Sequence, residues 1–235
     1  MNSLAPATDA SPALTIELAR QSAMCDWRGV LFFADLDLLV VSDLHLEKGA
    51  AFARRGRMLP PYDTAATLKR LGGVIADYDP GIVISLGDSF HDHDGAAEMP
   101  EPFREELAGL MAKRDWHWIA GNHDPAPPAD LPGHASQEIA IDGLTFRHEP
   151  ARGAAPGEIA GHLHPAARVV RRGRAVRRAC FACDGSRLVM PAFGSLTGTL
   201  NVLDRAFAGL FARERLTAYM LGRKGIYAIA GSMLR

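Results

Sequence analysis

Short apolar runs that end in polar clusters recur along this chain. Residues 36–42 (LDLLVVS) predict a buried strand that runs into Asp43. Residues 81–86 (GIVISL) repeat the pattern into Gly87-Asp88, and residues 116–120 (WHWIA) run into Gly121-Asn122-His123-Asp124. Between them, apolar residues recur at helical spacing, as at Ala66, Leu68, Leu71, Val74 and Ile75, which predicts helices over 63–77 and 101–113. Strand and helix alternating in this way imply parallel β-α-β units, whose chemistry collects at the carboxyl ends of the strands. From about Glu138 the segments become short and strand-like, divided by Gly143, Gly173, Asp184-Gly185 and Gly222, with one further helical stretch at 204–213. This β-rich half is expected to supply a second sheet. Residues 1–13, rich in Ala, Pro and Ser, read as a disordered tail, and 14–235 as one domain with no repeat and no dividing linker.

Composition narrows what this frame can carry. A formal net charge of -1 argues against coating nucleic acid through bulk positive charge, but leaves room for a local basic patch. Three cysteines, Cys25, Cys180 and Cys183, form no disulfide framework and suggest a reducing compartment. Cys180 and Cys183 make a C-x-x-C with no second pair, which favours packed thiols over half a zinc site or a redox pair. The amino terminus has neither the basic nor the apolar region of a signal peptide, and the most apolar stretch, 30–41, is interrupted by Asp35 and Asp37. Nothing approaches the ~20 apolar residues of a membrane span, so a cytoplasmic protein without membrane contact is expected.

Five polar clusters stand at the ends of the apolar runs: Asp43-Leu44-His45, Gly87-Asp88, Gly121-Asn122-His123-Asp124, His148 in FRHEP, and Gly161-His162-Leu163-His164. Carboxylate, amide oxygen and imidazole together suit divalent metals of intermediate softness, and no thiolate is needed. Neighbouring glycines are expected to turn the chain sharply so that the side chains converge. Taken singly each cluster has a bland reading: D-x-H arises by chance, Gly-Asp is a common turn, and a lone histidine is more often structural. The ordered set is far more specific, and it resembles the calcineurin-like metallophosphoesterases.

That resemblance implies an α/β (α+β) fold, a four-layer αββα sandwich of two mixed β-sheets flanked by helices. Carried over by motif, Asp43, His45 and His164 would hold one metal, Asn122, His148 and His162 the other, and Asp88 would bridge them. The cofactors implied are two divalent ions, Mn²⁺ first, with Zn²⁺ or Fe as alternatives. Two metals about 3.5–4 Å apart activate a bridging water for in-line attack and clamp the phosphoryl oxygens. His123 is the candidate catalytic group for protonating the leaving oxygen or stabilising the phosphoryl oxygens, and Asp124 is expected to orient its imidazole.

Longer segments sharpen the resemblance. DLHLEKGAAFARRGRMLPPYDTAATLKRL, GDSFHD, GHLHPAAR and CFACDGSRLVMPAFGSLTG are similar to the bacterial ligase-associated DNA damage response phosphoesterases of the PdeM group. The similarity runs from about residue 30 to residue 230, with Met190 where the group usually has Leu. It implies a manganese-dependent phosphodiesterase acting as an endonuclease on single-stranded DNA in repair, alongside a DNA ligase, a helicase and an exonuclease-like protein. Arginines cluster after two ligand motifs, at Arg54, Arg55 and Arg57 and at Arg168, Arg171, Arg172, Arg174, Arg177 and Arg178. Of these Arg54, Arg171, Arg172 and Arg174, with His91 from the loop after Asp88, are candidate substrate contacts. The opposing reading makes RVVRRGRAVRR an exposed hairpin whose arginines are merely solvated. Two other functions stay open: a phosphoesterase for a small nucleotide or lipid-linked pyrophosphate, and a non-catalytic protein-binding scaffold, which would have lost ligands.

Overall fold

The uncharged runs LLVV and IVISL form the middle of a seven-stranded sheet in the computed structural model, which describes residues 11–59, 62–126, 130–223 and 225–235. Its strands lie in chain order: β1 (Ala13–Leu18), β2 (Gln21–Asp26), β3 (Leu31–Phe33), β4 (Leu38–Val41), β5 (Ile82–Leu86), β6 (Asp115–Ile119) and β7 (His134–Ser136). The first four pair antiparallel, and β4 to β7 pair parallel. The parallel half is the one predicted from alternation, with α1 (Lys48–Arg54) and α2 (Asp63–Tyr78) joining β4 to β5 and α3 (Glu101–Met111) joining β5 to β6. Residues 1–10 of the expected tail lie outside the described residues, and Ala13, its last residue, already pairs with Asp26.

The second sheet has nine strands: β8 (Glu138–Ile141), β9 (Leu144–Arg147), β10 (Glu158–Ala160), β11 (Pro165–Arg171), β12 (Arg174–Cys183), β13 (Leu188–Val189), β14 (Leu200–Asn201), β15 (Thr217–Leu221) and β16 (Ile226–Ala230). It too is mixed, with β9, β10 and β13 parallel and β11, β12 and β13 antiparallel in turn. The two sheets bury their facing sides against each other: Leu38, Val40, Ile84 and Leu86 meet Phe146, Ile159, Phe181 and Met190. Burial of this kind, at roughly 25 cal/mol per Å² of apolar surface, is the main force that holds the layers together.

Helices cover only one outer face. Leu68, Leu71 and Val74 of α2 and Leu107 and Met111 of α3 pack on Leu39, Val41, Val83 and Trp116 of the first sheet. The outer face of the second sheet, Ala167, Cys180, Ala182 and Met220, is covered by Val202, Phe207, Leu216 and Leu234. Among the described residues no α-helix lies there. The helix expected at 204–213 is a single 3₁₀ turn, Arg205–Phe207, capped by the Asp204 carboxylate and followed by Gly209 at a φ of 81°. That left-handed glycine cannot continue a helix. Cys180 and Cys183 are free, buried and on opposite faces of β12, one in the outer cluster and one between the sheets. Three residues apart on a strand, they cannot share a metal or a disulfide.

Candidate metal centre

Strands β4, β5, β6, β9 and β10 all end at one edge of the two sheets, and each delivers a predicted ligand there. Asp43, His45 and His164 bring ligand atoms together in one group, and Asp88, His148 and His162 in a second. In the first, His164 Nε2 lies 3.1 Å from Asp43 Oδ1 and 3.4 Å from His45 Nε2. In the second, His148 Nε2 lies 3.4 Å from Asp88 Oδ1, 3.1 Å from His162 Nδ1 and 3.0 Å from Asn122 Oδ1. Asp88 stands between them, its other oxygen 3.8 Å from His45 Nε2. All seven predicted ligands therefore converge, and Asp88 has the placing of a bridge.

The donor set can be tested against a cation. His148 Nδ1–H donates to the Leu86 carbonyl at 2.8 Å, which leaves a lone pair on its Nε2. That lone pair faces a carboxylate oxygen and an amide oxygen, both acceptors. Acceptors crowded together need something positive between them. Without a metal a proton serves: burial pushes His148 down, but the Asp88 hydrogen bond and the Asp43 and Asp88 charges outweigh it and raise its pKa to about 9. For His45 burial dominates and lowers it to about 3 despite the same carboxylates. Burial would raise Asp43 and Asp88, yet their histidine partners hold both below the usual carboxylate range. Metal ions fit these residues and would displace the proton on binding.

Backbone hydrogen bonds aim the ligands. His162 N–H donates to the Asp43 carboxylate at 3.1 Å, and His123 N–H donates to Asp88 at 2.9 Å, so each carboxylate is held by another ligand loop. His164 Nδ1 is held by the Gly198 carbonyl at 3.1 Å, which turns its Nε2 inward. Partners of this kind fix ring orientation, and losing one typically costs about 10–100-fold in metal affinity. Of the glycines expected to turn the chain beside the ligand motifs, Gly87 does so, with a φ of 70°. Asp43, His45, Asp88, His162 and His164 themselves adopt left-handed backbone, with φ of 53°, 44°, 47°, 67° and 45°. Gly121 and Gly161 have no such φ; a Cβ on Gly161 would collide with the Ser42 hydroxyl and the Asp43 carboxylate, and one on Gly121 with Asp88. Close approach, and not a turn, is what those two positions demand.

His123 is half-buried beside the two clusters, its Nε2 4.0 Å from Asp88 Oδ2. Its Nδ1–H donates to the His91 carbonyl at 2.8 Å, which corrects the expectation that Asp124 orients it. Asp124 instead accepts from Phe90 N–H at 3.0 Å, bracing the loop after Asp88, and burial lifts its pKa to about 7. His91, a candidate substrate contact, is buried and stacked on His123, with ring centroids 5.0 Å apart. Arg54 is also corrected: it is ion-paired with Asp92 at 2.8 Å and with Glu98, and ties α1 to the same loop. Sequence reasoning missed Lys48, whose half-buried ammonium lies close enough to lower the pKa of His45 and His91. Its place in DLHLEKG, three residues after a ligand, was the available signal. His93 is exposed, and His117 pairs with Asp115 at 3.1 Å away from the site.

Two surfaces flank the cage. On the Asn122 side an open cleft of about 340 Å³ is lined by Gly121, Asn122, Gln137, Arg147, His148 and Glu149. On the His164 side stands the β11–β12 hairpin, closed by a two-residue turn with Arg172 at a φ of 50° and Gly173 at 74°. Both central residues at positive φ make it a type I′ turn. Register pairs Arg168 with Arg177 and Arg171 with Arg174. Phe181 of β12 faces the inter-sheet core and Cys180 the outer cluster, so strand alternation puts Arg177 and Arg168 on the inner face. Arg171, Arg174 and Arg178 lie on the outer face, and Arg172 sits at the tip.

The model of the family described as calcineurin-like phosphoesterase matches residues 36–171, more than half of the sequence. The chain belongs to that family. It is a metal-dependent phosphoesterase with two candidate metal-binding clusters. The crystal structure of the Pseudomonas putida nuclease MPE is similar to it at 28% identity, with a TM-score of 0.71 over 92% of this chain and 100% of that one. YfcE, a phosphoesterase from E. coli, matches 82% of this chain and 98% of its own at 15% identity and a TM-score of 0.41, too distant to bear on the argument. Among curated proteins no sequence match is found. No helix among the described residues is long and apolar enough to cross a membrane.

Proposed function

We propose that this phosphoesterase is a manganese-dependent phosphodiesterase that cuts single-stranded DNA internally, as part of DNA repair in the cytoplasm. One observation carries the reading: two candidate clusters of carboxylate and imidazole donors stand at the strand ends, and a hairpin of exposed arginines with no acidic partner among the described residues starts directly after one of them. A similar structure belongs to a nuclease, and the motif resemblance to the ligase-associated phosphoesterases points to the same substrate. That resemblance also suggests a DNA ligase, a helicase and an exonuclease-like protein as partners. A donor set without thiolate suits manganese, with zinc and iron as competitors.

Bound metals would supply an activated water and Lewis-acid stabilisation of the phosphoryl oxygens. The remaining work falls to the chain itself. His123, held at Nδ1 by the His91 carbonyl, presents Nε2 toward the place where a leaving oxygen would gain a proton. Lys48 adds fixed positive charge beside Asp88, whose field it shares. An open cleft admits a strand that bends into the site, whereas a duplex must first be distorted, at a cost of a few kcal/mol. The test compares circular single-stranded DNA, linear duplex and mononucleotides with manganese present. Rapid cleavage of the circle is expected; an intact circle beside rapid turnover of a mononucleotide would replace this reading with the small-molecule one.

A further inference from the structure

The β11–β12 hairpin has two faces, and only one looks over the metals. β10 ends at the metal-bearing edge, and β11 begins directly after His164. β11 is antiparallel to β12, β12 to β13, and β13 is parallel to β10, so β11 continues in the direction of β10 and passes beyond that edge. The first half of β12 returns beside it with no strand of the other sheet opposite; only its second half, from Cys180, joins β13 and β15. The overhanging part therefore turns its inner face toward the space above the cage. On that face Arg168 lies directly opposite Arg177, and on the other Arg171 lies opposite Arg174. Like charges placed directly across a ladder repel each other. Nevertheless none of these four, nor Arg172 or Arg178, has a carboxylate partner among the described residues. Arg177 donates instead to the Thr199 carbonyl at 2.6 Å, next to Gly198, whose carbonyl holds His164. This anchors one inner-face guanidinium beside a metal ligand.

We propose that Arg168 and Arg177, on the inner face of the hairpin, grip phosphates that flank the scissile one on a single strand lying across the metal centre. The proposal rests on the nuclease reading and refines it: Arg171 and Arg174 are solvated. Arg168 stands four residues beyond His164, ~13 Å along an extended strand, so it reaches a neighbouring phosphate and not the one being cut. A polymer offers that neighbour; a dinucleotide with a single diester does not.

The experiment measures binding of a fluorescent oligothymidylate to metal-free full-length protein over a range of salt concentrations. Two double variants are compared, Arg168→Ala with Arg177→Ala, and Arg171→Ala with Arg174→Ala. Two lost contacts on a single strand should flatten the log–log salt slope by about 1.4, at ~0.7 per contact, for the inner pair, with less than half that change for the outer pair. With manganese added, the inner pair should raise KM for the oligonucleotide far more than for the dinucleotide. Lysine at both inner positions should restore most of the salt slope, which separates lost charge from misfolding. An outer-pair effect equal to or larger than the inner one, or no effect of either, overturns the face assignment while leaving a strand-cutting wild type intact. If the wild type neither binds nor cuts the strand but hydrolyses a nitrophenyl diester, the nuclease reading itself falls.

Discussion

The metal-bearing edge and the arginine hairpin are separated by a single residue boundary, His164 to Pro165, yet they are built on opposite terms. At the edge most polar groups are held: Asp43 and Asp88 by backbone N–H groups, and His123, His148 and His164 by backbone carbonyls. In the hairpin the charges have no carboxylate partner among the described residues, are exposed, and are set against each other by register. Strain at the edge is held by surrounding structure, as expected where geometry must be fixed before a ligand arrives. Repulsion in the hairpin is left for solvent or a polyanion to relieve. One region is shaped for divalent metal ions, the other for a partner that brings its own charge.

The strongest way to break the contrast is at its centre. Asp88→Asn should remove the bridge between the two clusters and lower bound metal from two ions to fewer than one per chain, by elemental analysis. The affinity loss should exceed the roughly 10–100-fold typical of an outer-shell partner. A variant that still binds two ions would dismiss Asp88 as the bridge. His123→Ala comes next. Both metals should stay, while turnover falls by about 10²–10⁴-fold, and by less for nitrophenyl esters, whose leaving groups need little protonation. An equal loss for all leaving groups would assign His123 to the phosphoryl oxygens instead.

Smaller effects sharpen the comparison. Gly161→Ala should push a methyl group into Ser42 and Asp43, costing ~1–3 kcal/mol in thermal unfolding and weakening the first metal cluster. A variant with unchanged Tm and metal content would mean that the edge is looser than its geometry indicates. Arg172→Asn should do the reverse, stabilising the protein by up to about 1 kcal/mol, because asparagine tolerates the left-handed turn position better than arginine. Metal stoichiometry should not move. The same backbone region is thus expected to be indispensable in one place and dispensable a few residues away.

The linear sequence was enough for whatever depends on local chemistry and on order. Apolar runs ending in Asp43, Asp88 and Asn122 located β4, β5 and β6 to within two residues, because strands buried on both faces read as near-continuous apolar runs, with Asp115 exposed at the start of β6. The residues of the two candidate clusters were legible for a related reason: a metal site admits few residue types, and each is marked by its neighbours. Tertiary structure decided the rest. Whether His123 is oriented by Asp124 or by the His91 carbonyl depends on where two loops meet, and backbone carbonyls carry no signature in a sequence. Arg54 looked like a phosphate ligand until Asp92 and Glu98 were placed beside it. The hairpin arginines divide between two faces only once register is known, since a shift of one residue would exchange the faces. The helix expected at 204–213 failed because covering the second sheet asks only for a few apolar contacts, which an irregular chain with Gly209 supplies. Residue types named the chemistry, and long-range packing determined which of those residues can reach it.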